Sequence, residues 1–183
     1  SNSAKIVSLA SLEKTFGLSF EIVSTYLEYF KEAFLVFDLP QFSYSLKKQQ
    51  KALKKIYAVD TGLANTVSFR FSDDSGRILE NCLFLSLRER QGELFYYKTR
   101  NNLEVDFLVK EGRRQYTLIQ VCSDFEDPRT REREIKALKE AMDELALTSG
   151  FIITNSAKNT LKFGKKNIYI LPATEFLLQG INF

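Results

Sequence analysis

The chain has 183 residues, 44% of them apolar and 27% charged, with 26 basic and 23 acidic side chains and a formal net charge of +3. That is the balance of an ordinary globular protein, and the charge bias is too small to name a nucleic-acid ligand by itself. There is no histidine, which removes histidine-zinc sites, Ser-His-Asp triads and Cys-His pairs. No apolar run reaches the roughly 20 residues of a membrane-spanning helix.

Two cysteines, Cys82 and Cys122, lie in apolar surroundings without metal-type spacing. They point to buried thiols in a reducing compartment, so a cytoplasmic location with no membrane partner is expected. Met142 is the only methionine, and Ser1-Asn2 reads as a tag-cleavage remnant. The expectation is a piece of a longer protein.

In chain order, Lys5 to Phe16 reads as a helix stopped by Gly17. Ser19 caps a second helix, Phe20 to Phe34, whose apolar face is Ile22, Val23, Tyr26, Leu27, Phe30, Ala33 and Phe34. A strand from Phe34 to Leu39 ends at Pro40, and Phe42 to Leu46 reads as its hairpin partner. Lys47, Lys48, Lys51, Lys54 and Lys55 then form a basic loop or wing tip, and Ile56–Val59 returns as a strand turning out at Asp60-Thr61-Gly62-Leu63.

Two helices and a basic-tipped hairpin outline a winged helix. Glu21, Glu28 and Glu32 outnumber Lys31 on the second helix, and carboxylates repel a phosphate backbone. A packing module is favoured over a groove reader, while the wing lysines remain candidate DNA contacts together with Arg100.

Residues 65–75 read as a junction between a module of residues 1–64 and a domain of residues 76–183. The domain opens with a helix, Gly76 to Arg90. Strands Leu94–Thr99, Glu104–Val109 and Gln115–Val121 follow, with turns at Asn101-Asn102 and Glu111-Gly112. A helix from Arg129 to Leu145 has an inner face of Ile135, Leu138, Ala141, Met142 and Leu145. Strands Gly150–Thr154 and Asn167–Leu171 and a helix Ala173 to Gln179 complete an α+β pattern.

Alternate side chains of a strand share a face, so Glu104, Asp106 and Leu108 stand together, as do Gln120 and Cys122. Glu80 on the preceding helix is placed to close over the sheet edge. Carboxylates converging on Mg²⁺ with a lysine beside them form the arrangement that hydrolyses phosphodiesters. Glu80, Asp106 and Gln120 are the candidate metal ligands. The bland alternative is a set of polar groups bonded to one another.

The patterns Gly76-x-x-x-Glu80-Asn81, Tyr96-Tyr97 followed by Glu104-Val105-Asp106-Phe107-x-Val109, and Ile119-Gln120-Val121 together resemble the DUF4143 domain. That domain stands at the C-terminus of bacterial and archaeal AAA+-type ATPases. Lys55-Ile56-Tyr57-x-Val59-Asp60-Thr61-Gly62-Leu63 is similar to the stretch that joins the family's winged-helix region to it.

The resemblance implies an αβββαβ fold of the restriction-endonuclease-like, PD-(D/E)XK type. It matches Glu80 to the family's helix glutamate and Asp106 to the aspartate of the nuclease-like motif, with Glu104 as its neighbour. Gln120 stands where the motif's second acidic residue belongs and Cys122 where its lysine belongs, and both departures count against catalysis. Lys98, Arg100 and Arg131 are candidates for a migrated cation. No phosphate-binding Gly-rich loop occurs, since Gly164-Lys165-Lys166 lacks the rest of that motif. The resemblance therefore assigns ATP to a domain ahead of this piece and leaves Mg²⁺ as the one cofactor to consider here.

The leading expectation is a non-catalytic module of an AAA+-like ATPase, serving DNA or protein recognition. The alternatives are a Mg²⁺-dependent nuclease with a migrated lysine, Lys98 first among the candidates, and a pure protein-interaction domain.

Overall fold

A computed structural model describes residues 5–62, 75–90, 92–112 and 115–179. The chain divides into two compact units, Ser1–Asp73 and Asp74–Phe183. Most of the junction expected at residues 65–75 lies outside the described residues, as does Leu63 of the turn expected after Val59.

The first unit runs β1 (Lys5–Val7), α1 (Leu9–Phe16), α2 (Phe20–Glu32), β2 (Val36–Leu39), α3 (Leu46–Lys51) and β3 (Lys54–Ala58). Its strands form an antiparallel sheet in the order β1-β3-β2. The helix expected from Lys5 begins only at Leu9. Ser8 is extended and its hydroxyl accepts from the Ser11 N–H at 3.0 Å, which fixes the helix start there. That leaves Lys5–Val7 to pair with Lys54–Ile56.

Phe42–Leu46 is not a strand, and the lysine run is not a loop. Ser45 caps α3 by accepting from the Lys48 N–H at 3.4 Å, and Leu46-Lys47-Lys48-Gln49-Gln50-Lys51 consists of straight-chain residues that favour a helix. β2 pairs instead with β3, Leu39 opposite Lys55. Val23 is the one residue of α2 that is buried, while Ile22, Tyr26, Phe30 and the following Phe34 are 44–66% exposed. The face expected to pack inward is thus largely uncovered by the described residues. The sheet itself is small, and Leu39, Lys55 and Tyr57 are the buried side chains of β2 and β3.

The second unit runs α4 (Ser75–Arg88), β4 (Glu93–Lys98), β5 (Glu104–Glu111), β6 (Gln115–Cys122), α5 (Pro128–Glu144), β7 (Ser149–Thr154), β8 (Asn159–Phe163), β9 (Lys166–Pro172) and α6 (Ala173–Gln179). The six strands form one mixed sheet, β4-β5-β6-β7-β9-β8. β4, β5 and β6 are an antiparallel meander. β7 is parallel to β6 across the α5 crossover, and β9 is parallel to β7. β8 is an edge strand that the sequence did not announce, because its Asn159-Thr160-Leu161-Lys162-Phe163 stretch is mostly exposed.

Consecutive residues Val105 to Val109 of β5 are buried, so both faces of the sheet are covered. α5 packs against β5, β6 and β7, while α4 and α6 touch each other and lie against β6, β7 and β9. Asp127 begins α5 by accepting from the Thr130 N–H at 2.8 Å, with Pro128 in the first turn, where no helical N–H is required. Ala137, Leu138, Ala141 and Met142 form its buried stripe.

Gly150 of β7 is fitted to that stripe. A Cβ there would lie 3.1 Å from Met142 Sδ and 3.2 Å from both Leu138 methyls. Gly150→Ala is expected to lower unfolding free energy by about 1–3 kcal/mol through overpacking, and Leu138→Ala by about 2–5 kcal/mol through the cavity it leaves. Urea titration of the two variants checks both values.

Candidate functional site

The edge where β5 leaves β4 holds a pocket of about 350 Å³ lined by Asn102, Leu103, Glu104, Asp106, Gln120, Arg133, Glu134 and Ala137. Its geometry begins with an irregularity. Phe95 pairs with Leu108 and Tyr97 with Val105, so Tyr96 alone faces two residues, Asp106 and Phe107. Such a bulge re-aims side chains locally, and here it falls on the aspartate that the sequence singles out.

The β5–β6 ladder stops at the Phe107–Ile119 pair. Continued by one step, it would set Asp106 opposite Gln120. The next backbone donors are met by side chains instead. The Asp106 N–H donates to Gln120 Oε1 at 3.2 Å, and the Val121 N–H donates to Asp106 Oδ2 at 3.0 Å. The two residues thus satisfy each other's strand, as buried polar groups must.

α5 supplies the third member. Glu134 is 6% exposed and in line with Ala137, Leu138 and Ala141 on the buried stripe. Its Oε2 accepts from Gln120 Nε2 at 2.6 Å, and its Oε1 accepts from Arg133 Nε at 2.9 Å and from Arg133 Nη2. Burial pushes the Glu134 pKa up; the Arg133 hydrogen bond pulls it back, and the Asp106 charge adds to the rise. Cys122 is 2% exposed, and burial, helped by the charges of Glu134 and Asp124, pushes its thiol up to about 11.

Divalent-metal chemistry is implied by the expected fold, so the donor set has to be tested against it. Mg²⁺ demands near-octahedral oxygen ligands. Asp106 Oδ2 already accepts from the backbone, both Glu134 oxygens accept from neighbours, and Gln120 Oε1 faces an amide. Among the described residues no group of three His, Cys, Asp or Glu side chains is disposed to hold a metal ion. The residues present do not fit Mg²⁺.

Residues 75–176 match the family described as "Domain of unknown function (DUF4143)". The chain belongs to the DUF4143 family. Residues 1–74 match a second family, "Domain of unknown function (DUF8612)". The chain is 42% identical over 151 residues to a protein of Methanocaldococcus jannaschii called "Uncharacterized protein MJ1544", a match covering 80% of this chain and 33% of the relative. No solved structure matches. No helix among the described residues is long and apolar enough to cross a membrane.

Within the DUF4143 domain, Glu104, Asp106 and Gln120 line one pocket. Glu80 sits half-buried on α4 and is not among the lining residues. Lys98 is half-buried on β4 in register with Glu104. Arg100 is exposed in the turn after β4, where its backbone N–H donates to Glu144 at 2.8 Å. Arg131 lies on α5 with its guanidinium 5.9 Å from the centre of the Phe125 ring.

In the N-terminal unit, Lys47, Lys48 and Lys51 are exposed on α3, and Lys54 bonds Asp38 at 2.6 Å. Lys55 is 1% exposed, which corrects its assignment as a phosphate contact. It alternates with its exposed neighbour Lys54 along β3, so the two lysines point to opposite sides.

Sequence reasoning missed Glu134 and Arg133. A glutamate among alternating charges on a helix resembles a solvated residue, yet Glu134 precedes Ala137 and Leu138 by three and four positions. That spacing sets it on their stripe.

Two measurements follow from this pocket. An unfolded glutamate releases its proton near 4.5, below the raised folded value, so the folded state holds the extra proton in between. The stabilising share of Glu134 is complete below 4.5 and is lost as pH rises through the folded value. Glu134→Gln, which cannot ionise, is therefore expected to lose less stability than the parent chain does as pH rises above 4.5, read as the pH dependence of the difference between the two in urea titrations. For the thiol, a Cys82→Ser variant is expected to show no reaction with a disulfide reagent at pH 8 until urea unfolds it, because Cys122 is covered and protonated.

Proposed function

We propose that this chain is a non-catalytic module of an AAA+-like ATPase. A winged-helix-like unit precedes a degenerate restriction-endonuclease-like domain that serves recognition rather than cleavage. The motif resemblance supports the ATPase context. The order β1-α1-α2-β2-α3-β3 with sheet order β1-β3-β2 supports the winged-helix reading. A helix, an antiparallel meander and a helical crossover to a parallel strand support the nuclease-like reading.

The observation that carries the proposal is the state of the motif's second strand. A nuclease of this kind needs a cation beside its carboxylates to orient water and stabilise the charge that develops on phosphate. Here that strand presents Gln120 and a buried, protonated thiol at Cys122. The nearby carboxylates are engaged by Val121, Gln120 and Arg133. A pocket whose polar atoms answer one another holds its shape, and it offers little to a phosphodiester.

Incubation of the chain with plasmid and oligonucleotide DNA in millimolar Mg²⁺ or Mn²⁺ is expected to yield no cleavage products, with Asp106→Ala indistinguishable from the parent. Metal-dependent cleavage that disappears in Asp106→Ala would establish a nuclease instead. Lys98 would then be the first residue to examine, since it lies across from Glu104.

A further inference from the structure

The tip of the N-terminal unit joins three properties that a solvated loop does not need together. From Gln41 to Leu53 the chain carries Lys47, Lys48 and Lys51 and no acidic residue. All three lysines are exposed, and among the described residues none is paired with a carboxylate. Asp38, the acid at the base of the tip, is already engaged by Lys54 at 2.6 Å and Lys31 at 3.2 Å.

The lysines stand at positions i, i+1 and i+4 of one short helix, so Lys47 and Lys51 share a face and Lys48 borders it. The charge is therefore concentrated rather than spread around the helix. Tyr44 precedes it, 76% exposed, with its ring 5.1 Å from that of Phe42 in an edge-on arrangement at 77°. Phe42 is 7% exposed and anchored, so one side of Tyr44 is steadied while most of the side chain is exposed to solvent. Leu46 and Leu53, 73% and 50% exposed, flank the same tip.

We propose that this tip binds single-stranded nucleic acid. Phosphates meet Lys47, Lys48 and Lys51, and a base stacks on Tyr44. An aromatic platform beside a basic run is how strands with accessible base faces are held without sequence readout. α2 cannot serve instead, because Glu21, Glu28 and Glu32 are exposed along it. An anionic membrane would also attract the lysines, and vesicles therefore stand as a separate arm of the test. The inference rests on the recognition reading above and names its ligand.

The test is fluorescence anisotropy with a labelled 20-nucleotide thymidine strand, the corresponding duplex, and phosphatidylserine vesicles. The single strand is expected to bind best. The logarithm of its affinity should fall against that of salt with a slope of about −2, so roughly 15-fold weaker binding from 50 to 200 mM salt, as three released counterions require. The triple charge reversal Lys47→Glu, Lys48→Glu, Lys51→Glu should abolish binding. Tyr44→Ala should weaken it roughly tenfold without changing the slope.

A flat titration, an unaffected triple variant, duplex binding as tight as single-strand binding, or binding to vesicles alone would each overturn the proposal. The outcome separates from that of the cleavage assay. A chain that cuts DNA yet binds it through the tip keeps this inference and removes the non-catalytic reading. A chain that neither cuts nor binds does the reverse.

Discussion

A carboxylate removed from water must find donors or give up its charge. In the C-terminal unit that requirement falls on Glu134, and it organises the elements around it. One oxygen takes the Gln120 amide of β6, the other takes the Arg133 guanidinium of the same helix, and Gln120 in turn accepts the Asp106 N–H of β5. A helix and two strands are thereby fixed in one register through four side chains. Breaking such a network from one end strands the remaining groups, whereas an apolar replacement of all of them together would remove the need for it.

The same constraint explains why the pocket reads as a nuclease site in sequence and as a closed polar cluster in space. An aspartate on a strand, a polar residue on the next and a helix packed above them are compatible with either arrangement. What decides between them is the identity of the third and fourth partners. Glu134 adds negative charge, Arg133 neutralises it locally, and Cys122 brings no charge at all at neutral pH. The charge of Glu134 is thus compensated from within the chain.

Much of the C-terminal unit was legible because its strands are short apolar runs bounded by turn residues, and because the stripe of α5 through Leu138, Ala141 and Met142 recurs at helical spacing. The N-terminal unit was less so. A single serine, Ser8, moved a helix start by four residues and left a strand behind it, and Ser45 converted an apparent loop into α3. The apolar periodicity of α2 was correct as a helix signal and misleading as a burial signal, since periodicity reports which residues align, not what covers them. β8 was invisible because an edge strand with one partner alternates little. In the site, Asp106 and Gln120 were readable from strand parity, while Glu134 was not, because charge alone does not tell a buried acid from a wet one.

The ladder of β5 and β6 ends where side chains take over from carbonyls, and this gives the pocket a built-in reporter. The amide protons of Asp106 and Val121 are shielded from solvent exchange only while Gln120 and Asp106 hold their orientations. Anything that draws either side chain toward a bound group must leave one of those protons without its acceptor. Deuterium uptake at two adjacent strand positions would then register the event, even though the strands themselves had not moved.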